Sequence, residues 1–392
     1  MKSIRFILSI ALLFVVLQAC KKEVDGEVFT ITLESNGGMN IAPIRVRSGD
    51  LIPQNRLFPN PIITDGGTFD GWYADSELVQ KFDFNTKITE NMTLYAKWLY
   101  KTYPVSFVMN GAGDKAPIDV IEGRTLEVGR PDWDGKVFVG WYRDAGLKQL
   151  YNMNTKVISE MTLYARWENP SPPEWFAINA NGVLEACFAP AGTAVVVVPE
   201  GVKVIGDWFV LASGLNAPGK PGFPTGKAIK EFILPQSLER IGTGSFKFAA
   251  IESVIIPPLV KELPPASFEG CDQLMQFVFA PNSTFEKLVS SGGGPVLSST
   301  SLEYIVFPPT LVSVGMYTLS GCNALKTVTF ERSESPVIFY DHLPGGGVWL
   351  FEAHFPTSIR MPEEVKEGFL AGIRTVMQDY EFNRWKDIVE GY

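Results

Sequence analysis

Between residues 28 and 168, apolar and polar positions alternate in short runs. Phe29, Ile31 and Leu33 alternate with Thr30 and Thr32, the period of a half-buried strand. Thr93-Leu94-Tyr95-Ala96-Lys97-Trp98 predicts a second strand, and Asn36-Gly37 and Asp65-Gly66-Gly67 read as turns. Beyond residue 175 the rhythm changes. Apolar residues fall at relative positions one, four and six, followed by a proline and a second apolar stretch. Ile229, Phe232 and Leu234-Pro235 lead to Leu238, Ile241 and Phe246. Ile251, Val254 and Ile256-Pro257 repeat this 22 residues later, and further units start at Leu274, Leu302 and Leu325. A unit this short cannot bury an apolar face alone, so neighbours must stack into a solenoid.

If positions one, four and six point inward, positions three and five point outward along a ladder of strands. Position five reads Val197, Ile233, Ile255, Val278, Val306 and Thr329. Position three reads Val195, Glu231, Ser253, Gln276, Tyr304 and Thr327. The β-branched row together with Tyr304 is the candidate binding face, because contiguous exposed apolar area marks contact sites. β-branched residues also favour strands for their own sake. The row is expected to meet a ligand, a partner chain or the neighbouring repeats.

The chain begins differently. Lys2 and Arg5 precede Phe6–Leu17, a run of almost wholly apolar residues. That run is too short for a membrane span, which needs about 20 residues, and has the charge pattern of a secretory signal. Leu17-Gln18-Ala19-Cys20 resembles the lipobox of bacterial lipoproteins. The resemblance implies cleavage before Cys20 and attachment of diacylglycerol to its thiol, which would make the membrane a partner through the N-terminal lipid. Two or more acyl chains anchor stably where one does not. Lys21-Lys22-Glu23 with Asp25 and Glu27 looks like the tag that sends such lipoproteins to the outer face of an outer membrane. The alternative is a plain solvated tether on a protein facing the periplasm.

Residues 69–98 and 138–167 align without a gap at a period of 69. Both carry Gly-Trp-Tyr, at residues 71–73 and 140–142, and end in Leu-Tyr-Ala-Lys-Trp or Leu-Tyr-Ala-Arg-Trp. These motifs resemble the internalin-type B-repeat, also called the Listeria–Bacteroides repeat, and imply two small β-grasp-like modules. Trp72, Tyr73, Trp98, Trp141, Tyr142 and Trp167 could stack on sugars. Filling the core of a very small domain would equally hold them at matching places in both copies. Glu168-Asn169-Pro170-Ser171-Pro172-Pro173-Glu174 follows, and its prolines favour an extended spacer.

The second array resembles BspA-like leucine-rich repeats. Phe268-Glu-Gly-Cys271 and Leu319-Ser-Gly-Cys322 match the corner of that repeat. Cys271 and Cys322 thus occupy equivalent turns, where a buried, packed thiol is expected rather than a reactive one. Phe176–Val202 resembles the family's opening hairpin and first coil. Ile359–Val365, with Trp385, resembles its terminal strand and helical cap.

Composition narrows the function. Removing Lys2 and Arg5 with the leader changes the formal charge from −9 to −11, which disfavours binding to a phosphate backbone; no nucleic-acid partner is expected. After Cys20 only Cys187, Cys271 and Cys322 remain, an odd number that implies no disulfide framework, and the two histidines, His342 and His354, are too few for a zinc site or a histidine-based triad. There is no G-x-S-x-G, no H-E-x-x-H and no phosphate-cradling loop. No catalytic residue, metal or cofactor is expected.

The expected architecture is multidomain and mainly β: two small β-grasp-like repeats followed by a leucine-rich-repeat solenoid with a short helical C-terminal cap. A signal peptide spans 1–19 and a tether 20–27. The modules span 28–99 and 103–168, the linker 169–174 and the solenoid 175–392. The expected function is a lipid-anchored, non-catalytic surface protein binding an extracellular protein or glycan, with the modules as a stalk. A glycan-binding accessory lipoprotein of a nutrient-uptake system is the alternative, with Trp349 and Phe351 as its candidate loop contacts, and an enzyme of unknown chemistry ranks behind it.

Overall fold

The computed structural model describes residues 26–53, 62–63, 66–190, 192–209, 229–289, 294–315, 317–335, 337–340, 355–374 and 379–392. Cys20, Trp349 and Phe351 lie outside the described residues. Two compact units divide at Thr102.

The first unit holds one module. Its strands are β1 (Val28–Glu34), β2 (Ile44–Arg47), β3 (Thr68–Tyr73) and β4 (Met92–Leu99), in the sheet order β2-β1-β4-β3. The central pair β1–β4 is parallel and both outer pairings are antiparallel. The alternation seen in the sequence becomes one buried face: Phe29, Ile31 and Leu33 are buried beside Leu94, Ala96 and Trp72. The Trp98 indole N–H donates to the Ser35 carbonyl at 2.9 Å, and the Asn36 amide donates to the Ala96 carbonyl at 2.8 Å.

The second unit begins with the duplicate module. Strands β5 (Thr102–Val108), β6 (Ile118–Ile121), β7 (Val137–Tyr142) and β8 (Met161–Glu168) take the order β6-β5-β8-β7. The same two locks recur: Trp167 donates to the Met109 carbonyl and Asn110 to the Ala165 carbonyl, each at 2.8 Å. The register shift between Phe69 and Gly71 also recurs between Phe138 and Gly140, the mark of a built-in bulge. Trp72, Tyr73, Trp141 and Tyr142 are all buried; the two tryptophans fill the module cores, while Tyr73 lies under Lys97 and Tyr142 against Arg166. The strand order is that of a β-grasp, but the connection from β6 to β7 contains no helix.

The solenoid follows in the same unit. An antiparallel hairpin of β9 (Phe176–Ile178) and β10 (Val183–Cys187) opens it. The outer ladder runs through β11 (Val195–Val197), β13 (Glu231–Ile233), β15 (Ser253–Ile256) and β17 (Gln276–Phe279), all parallel neighbours. A second ladder joins β19 (Tyr304–Phe307), β21 (Thr327–Phe330), β23 (Ser358–Met361) and β24 (Val389–Gly391). The two-residue strands β12 (Val204–Ile205) and β14 (Arg240–Ile241) extend the sheet of the hairpin. On the same side of the coil, β16 (Glu262–Leu263), β18 (Lys287–Leu288), β20 (Ser313–Gly315) and β22 (Ile338–Tyr340) form another parallel ladder.

Positions one, four and six point inward, as their spacing requires. Ile251, Val254 and Ile256, like Leu302, Ile305 and Phe307, are at most 3 % exposed. A column of phenylalanines threads the coils. Phe246 stacks on Phe268 at 5.1 Å between ring centroids, and Phe307 on Phe330 at 5.4 Å. The corner thiols are buried too: Cys271 donates to the Phe246 carbonyl at 3.0 Å and Cys322 to the Leu297 carbonyl at 3.1 Å. Helices α1 (Glu363–Arg374) and α2 (Asp379–Ile388) close the far end. Val365, Phe369, Ile373 and Trp385 are buried there against the last coils, as an exposed solenoid end requires. No helix among the described residues is long and apolar enough to cross a membrane.

Candidate binding surface

The strand registers align the candidate row: Val197 lies opposite Ile233, Ile255 opposite Val278, and Val306 opposite Thr329. Position three aligns likewise, with Glu231 opposite Ser253, Ser253 opposite Gln276, and Tyr304 opposite Thr327. The row is therefore continuous along each ladder, but its environment changes from end to end.

Val197, read as outward-facing, is only 4 % exposed. Its N–H donates to the Ser171 hydroxyl at 2.9 Å, so the segment expected to be a free spacer lies across this strand. Ile233, Ile255 and Val278 are half-buried. The second module sits over them. Arg166 of β8 pairs with Glu231 of β13 at 2.7 Å, the two side chains being 13 % and 21 % exposed. The Gln276 side-chain amide donates to the Lys148 carbonyl at 2.7 Å and accepts from the Leu150 N–H at 3.3 Å. A Cβ on Gly140 would stand 2.9 Å from Leu150 and 3.3 Å from Ile255, so glycine is what lets β7 approach the ladder this closely. Tyr304 is different: it heads the second ladder 57 % exposed. Val306, Thr327 and Thr329 are half-buried around it.

Electrostatics fit this division. Burial alone would lower the Arg166 pKa. Hydrogen bonds and charge from Glu231 and Glu168 override it, and the guanidinium is held more firmly protonated than usual. Burial raises Tyr142 beside it. At the other end of the interface, Thr125, Asn154 and Lys156 of the module face Glu331 and Tyr392 across a cavity of about 600 Å³. There burial pushes the Glu331 carboxyl up to about 7, with Lys156 pulling the other way. Burial, reinforced by the Glu331 charge, pushes the Tyr392 phenol up to about 12.

The two modules differ where the second meets the solenoid. In the first module Asp70 and Lys81 form an ion pair at 3.5 Å, and Lys81 covers Gly71. One period later stand Val139 and Leu150, with Leu150 covering Gly140. Lys97 lies 4.7 Å from the centroid of the Tyr73 ring, and its counterpart is Arg166. A charged face has become apolar, with one arginine aimed at a solenoid carboxylate. Contact with neighbouring repeats was one of three expectations for the row; the signal that could have singled out the second module is the contrast between copies at positions 70/139 and 81/150.

Known proteins match both halves of this picture. Residues 29–97 and 103–166 match the Listeria-Bacteroides repeat domain, and residues 209–326 and 293–337 match the BspA type leucine rich repeat region. A protein of Evansella cellulosilytica named as a membrane protein is 33 % identical over 171 residues, covering 43 % of this chain and 25 % of that protein. Internalin H of Listeria monocytogenes is 28 % identical over 157 residues, covering 38 % of this chain and 27 % of its own length. The chain thus spans about a quarter of each of these relatives. Among solved structures, a leucine-rich repeat protein from Bacteroides ovatus is 18 % identical. It covers 48 % of this chain and 46 % of its own, with a TM-score of 0.35.

Proposed function

Because the chain carries two Listeria-Bacteroides repeat domains ahead of a BspA-type leucine-rich-repeat region, we propose that it is a non-catalytic surface protein that binds an extracellular macromolecule. The observation that carries this reading is the uneven cover of the solenoid's strand face. Val197 is buried on the first strand of the first ladder, while Tyr304, on the first strand of the second, stands 57 % exposed. A solenoid presents an extended surface, and an exposed tyrosine with a polar tip is the side chain that such contacts favour. The contact face is therefore Tyr304, Val306, Thr327 and Thr329, with a protein as the ligand class. Similarity to a protein named Internalin H, and to one named as a membrane protein, supports placement at a cell surface. Cys20 is the residue that would carry the lipid. Proteinase treatment of intact cells tests the placement: loss of the chain while periplasmic markers survive is expected, and a protected chain would refute surface exposure. Cys20→Ala should move the chain from the membrane fraction to the soluble fraction.

A glycan ligand is favoured by one observation. Trp208 and Phe248 are 42 % and 45 % exposed, and the Lys247 ammonium lies 5.9 Å and 5.1 Å from their ring centroids. Aromatic rings that reach solvent, with a cationic donor beside them, are side chains of the kind that contact sugars. Loss of binding in Trp208→Ala, with Tyr304→Ala unaffected, would select this reading over the first.

A further inference from the structure

The junction between the second module and the solenoid forms an open cavity of about 320 Å³. Trp141, Leu150, Ile255 and Val278 give it apolar walls, and Arg130 lines it as well. Arg130 as a whole residue is solvent-exposed, but burial lowers the pKa of its guanidinium, so the charged group is partly desolvated beside the cavity. One of its N–H groups donates to the Phe138 carbonyl at 2.5 Å. Among the described residues no carboxylate lies within ion-pair distance of it. The acid that it senses, Glu200, accepts the N–H groups of Gln236 and Ser237 at 3.0 Å and 3.2 Å. Four of the five guanidinium donors thus remain for something else.

This is a pocket at a module junction, mostly apolar, with Arg130 as its one charged side chain beside the polar Gln236 and Asn282, and binding sites for small molecules have that form. The charge has a sign, which restricts the occupant. A guanidinium with neighbouring apolar walls selects a carboxylate that carries an apolar body. The duplication adds an independent argument. At the matching place the first module closes its surface with the Asp70–Lys81 pair. The second has Val139 and Leu150 there, which removes an internal carboxylate and leaves apolar walls.

We propose that this cavity binds a small amphiphilic carboxylate, an aromatic or short acyl group bearing a single negative charge, with Arg130 receiving the carboxylate. The proposal is independent of the macromolecular contact at Tyr304. Isothermal titration of the purified chain with 4-phenylbutyrate and with its neutral analogue 4-phenylbutan-1-ol tests it. The expected result is one saturable site at which the acid binds at least tenfold more tightly than the alcohol. Arg130→Met should erase that preference, and Arg130→Lys should keep part of it. Arg130 is exposed and its aliphatic stem survives in methionine, so thermal unfolding should confirm an unchanged fold. Absence of saturable binding, equal binding of acid and alcohol, or a preference that survives Arg130→Met would overturn the proposal.

Discussion

Arg166 and Glu231 are 65 positions apart in the chain and meet at 2.7 Å, joining the last strand of the second module to the second rung of the solenoid ladder. Glu168 accepts from the same guanidinium at 2.8 Å, and the Tyr142 hydroxyl at 3.1 Å. The contact is partly desolvated, so removing one partner leaves the other charge uncompensated. Arg166→Met should destabilise the junction by about 1–3 kcal/mol. Arg166→Met combined with Glu231→Gln should cost less than the sum of the two single changes. Thermal unfolding of the four chains in a double-mutant cycle measures this coupling.

The differences between the modules predict a more specific effect. Returning the second module to the pattern of the first, with Val139→Asp and Leu150→Lys together, would place two charges against Ile255 and Val278. The module should still fold, because this pair occupies an intact sheet in the first copy. Its docking should fail. Limited proteolysis then reads out cleavage within residues 168–174, slow in the natural chain and faster in the variant. Unchanged cleavage would mean that these two positions do not hold the junction.

Glu331 makes stability depend on pH in a stated direction. Its carboxyl is pushed from 4.5 to about 7 in the folded chain. Between those values the folded state keeps a proton that the unfolded state has lost, so stability falls as pH rises through that window. Lys156, Arg360, Glu364 and Tyr392 surround the same cavity or the same phenol and set the size of the effect. Glu331→Gln should match the natural chain at pH 4.5 and exceed it by about 1–3 kcal/mol at pH 8. Melting curves of both chains at the two pH values check the sign.

The solenoid thiols should behave as packing groups. Cys187, Cys271 and Cys322 are all buried and form no disulfide with one another, and burial raises the pKa of Cys187 and Cys322. A thiolate is the reactive form, so these residues should resist a thiol reagent until the chain unfolds. Labelling in native buffer and in denaturant, followed by mass analysis, should show none of the three modified in the first and all in the second.

The elements were legible because they rest on local periodicity. Phe29, Ile31 and Leu33 alternate and are buried; Ile251, Val254 and Ile256 repeat at fixed offsets and are buried. The inward register of the solenoid followed from the same offsets. What alternation cannot reveal is which outward residue another part of the chain will cover. For Ile255 and Val278 a ligand, a partner chain and the neighbouring repeats stayed open, because Gly140 and Leu150, which meet them, lie more than 100 positions earlier. Val197 was misjudged for a related reason: proline content suggests an extended segment, but says nothing about what Ser171 will touch. Arg130 carried no sequence signal at all, since its meaning depends on the cavity beside it.

The central claim is that the exposed head of the second ladder, at Tyr304, holds a macromolecular partner. The most direct measurement is surface-immobilised binding of the purified chain against a panel of extracellular-matrix proteins and glycans, repeated with Tyr304→Ala combined with Thr329→Glu. The account predicts saturable binding of the natural chain to a protein of the panel. It also predicts at least a tenfold loss in a variant with an unchanged melting temperature. Binding that is unaffected by the two changes, or no binding to any protein of the panel, would contradict it.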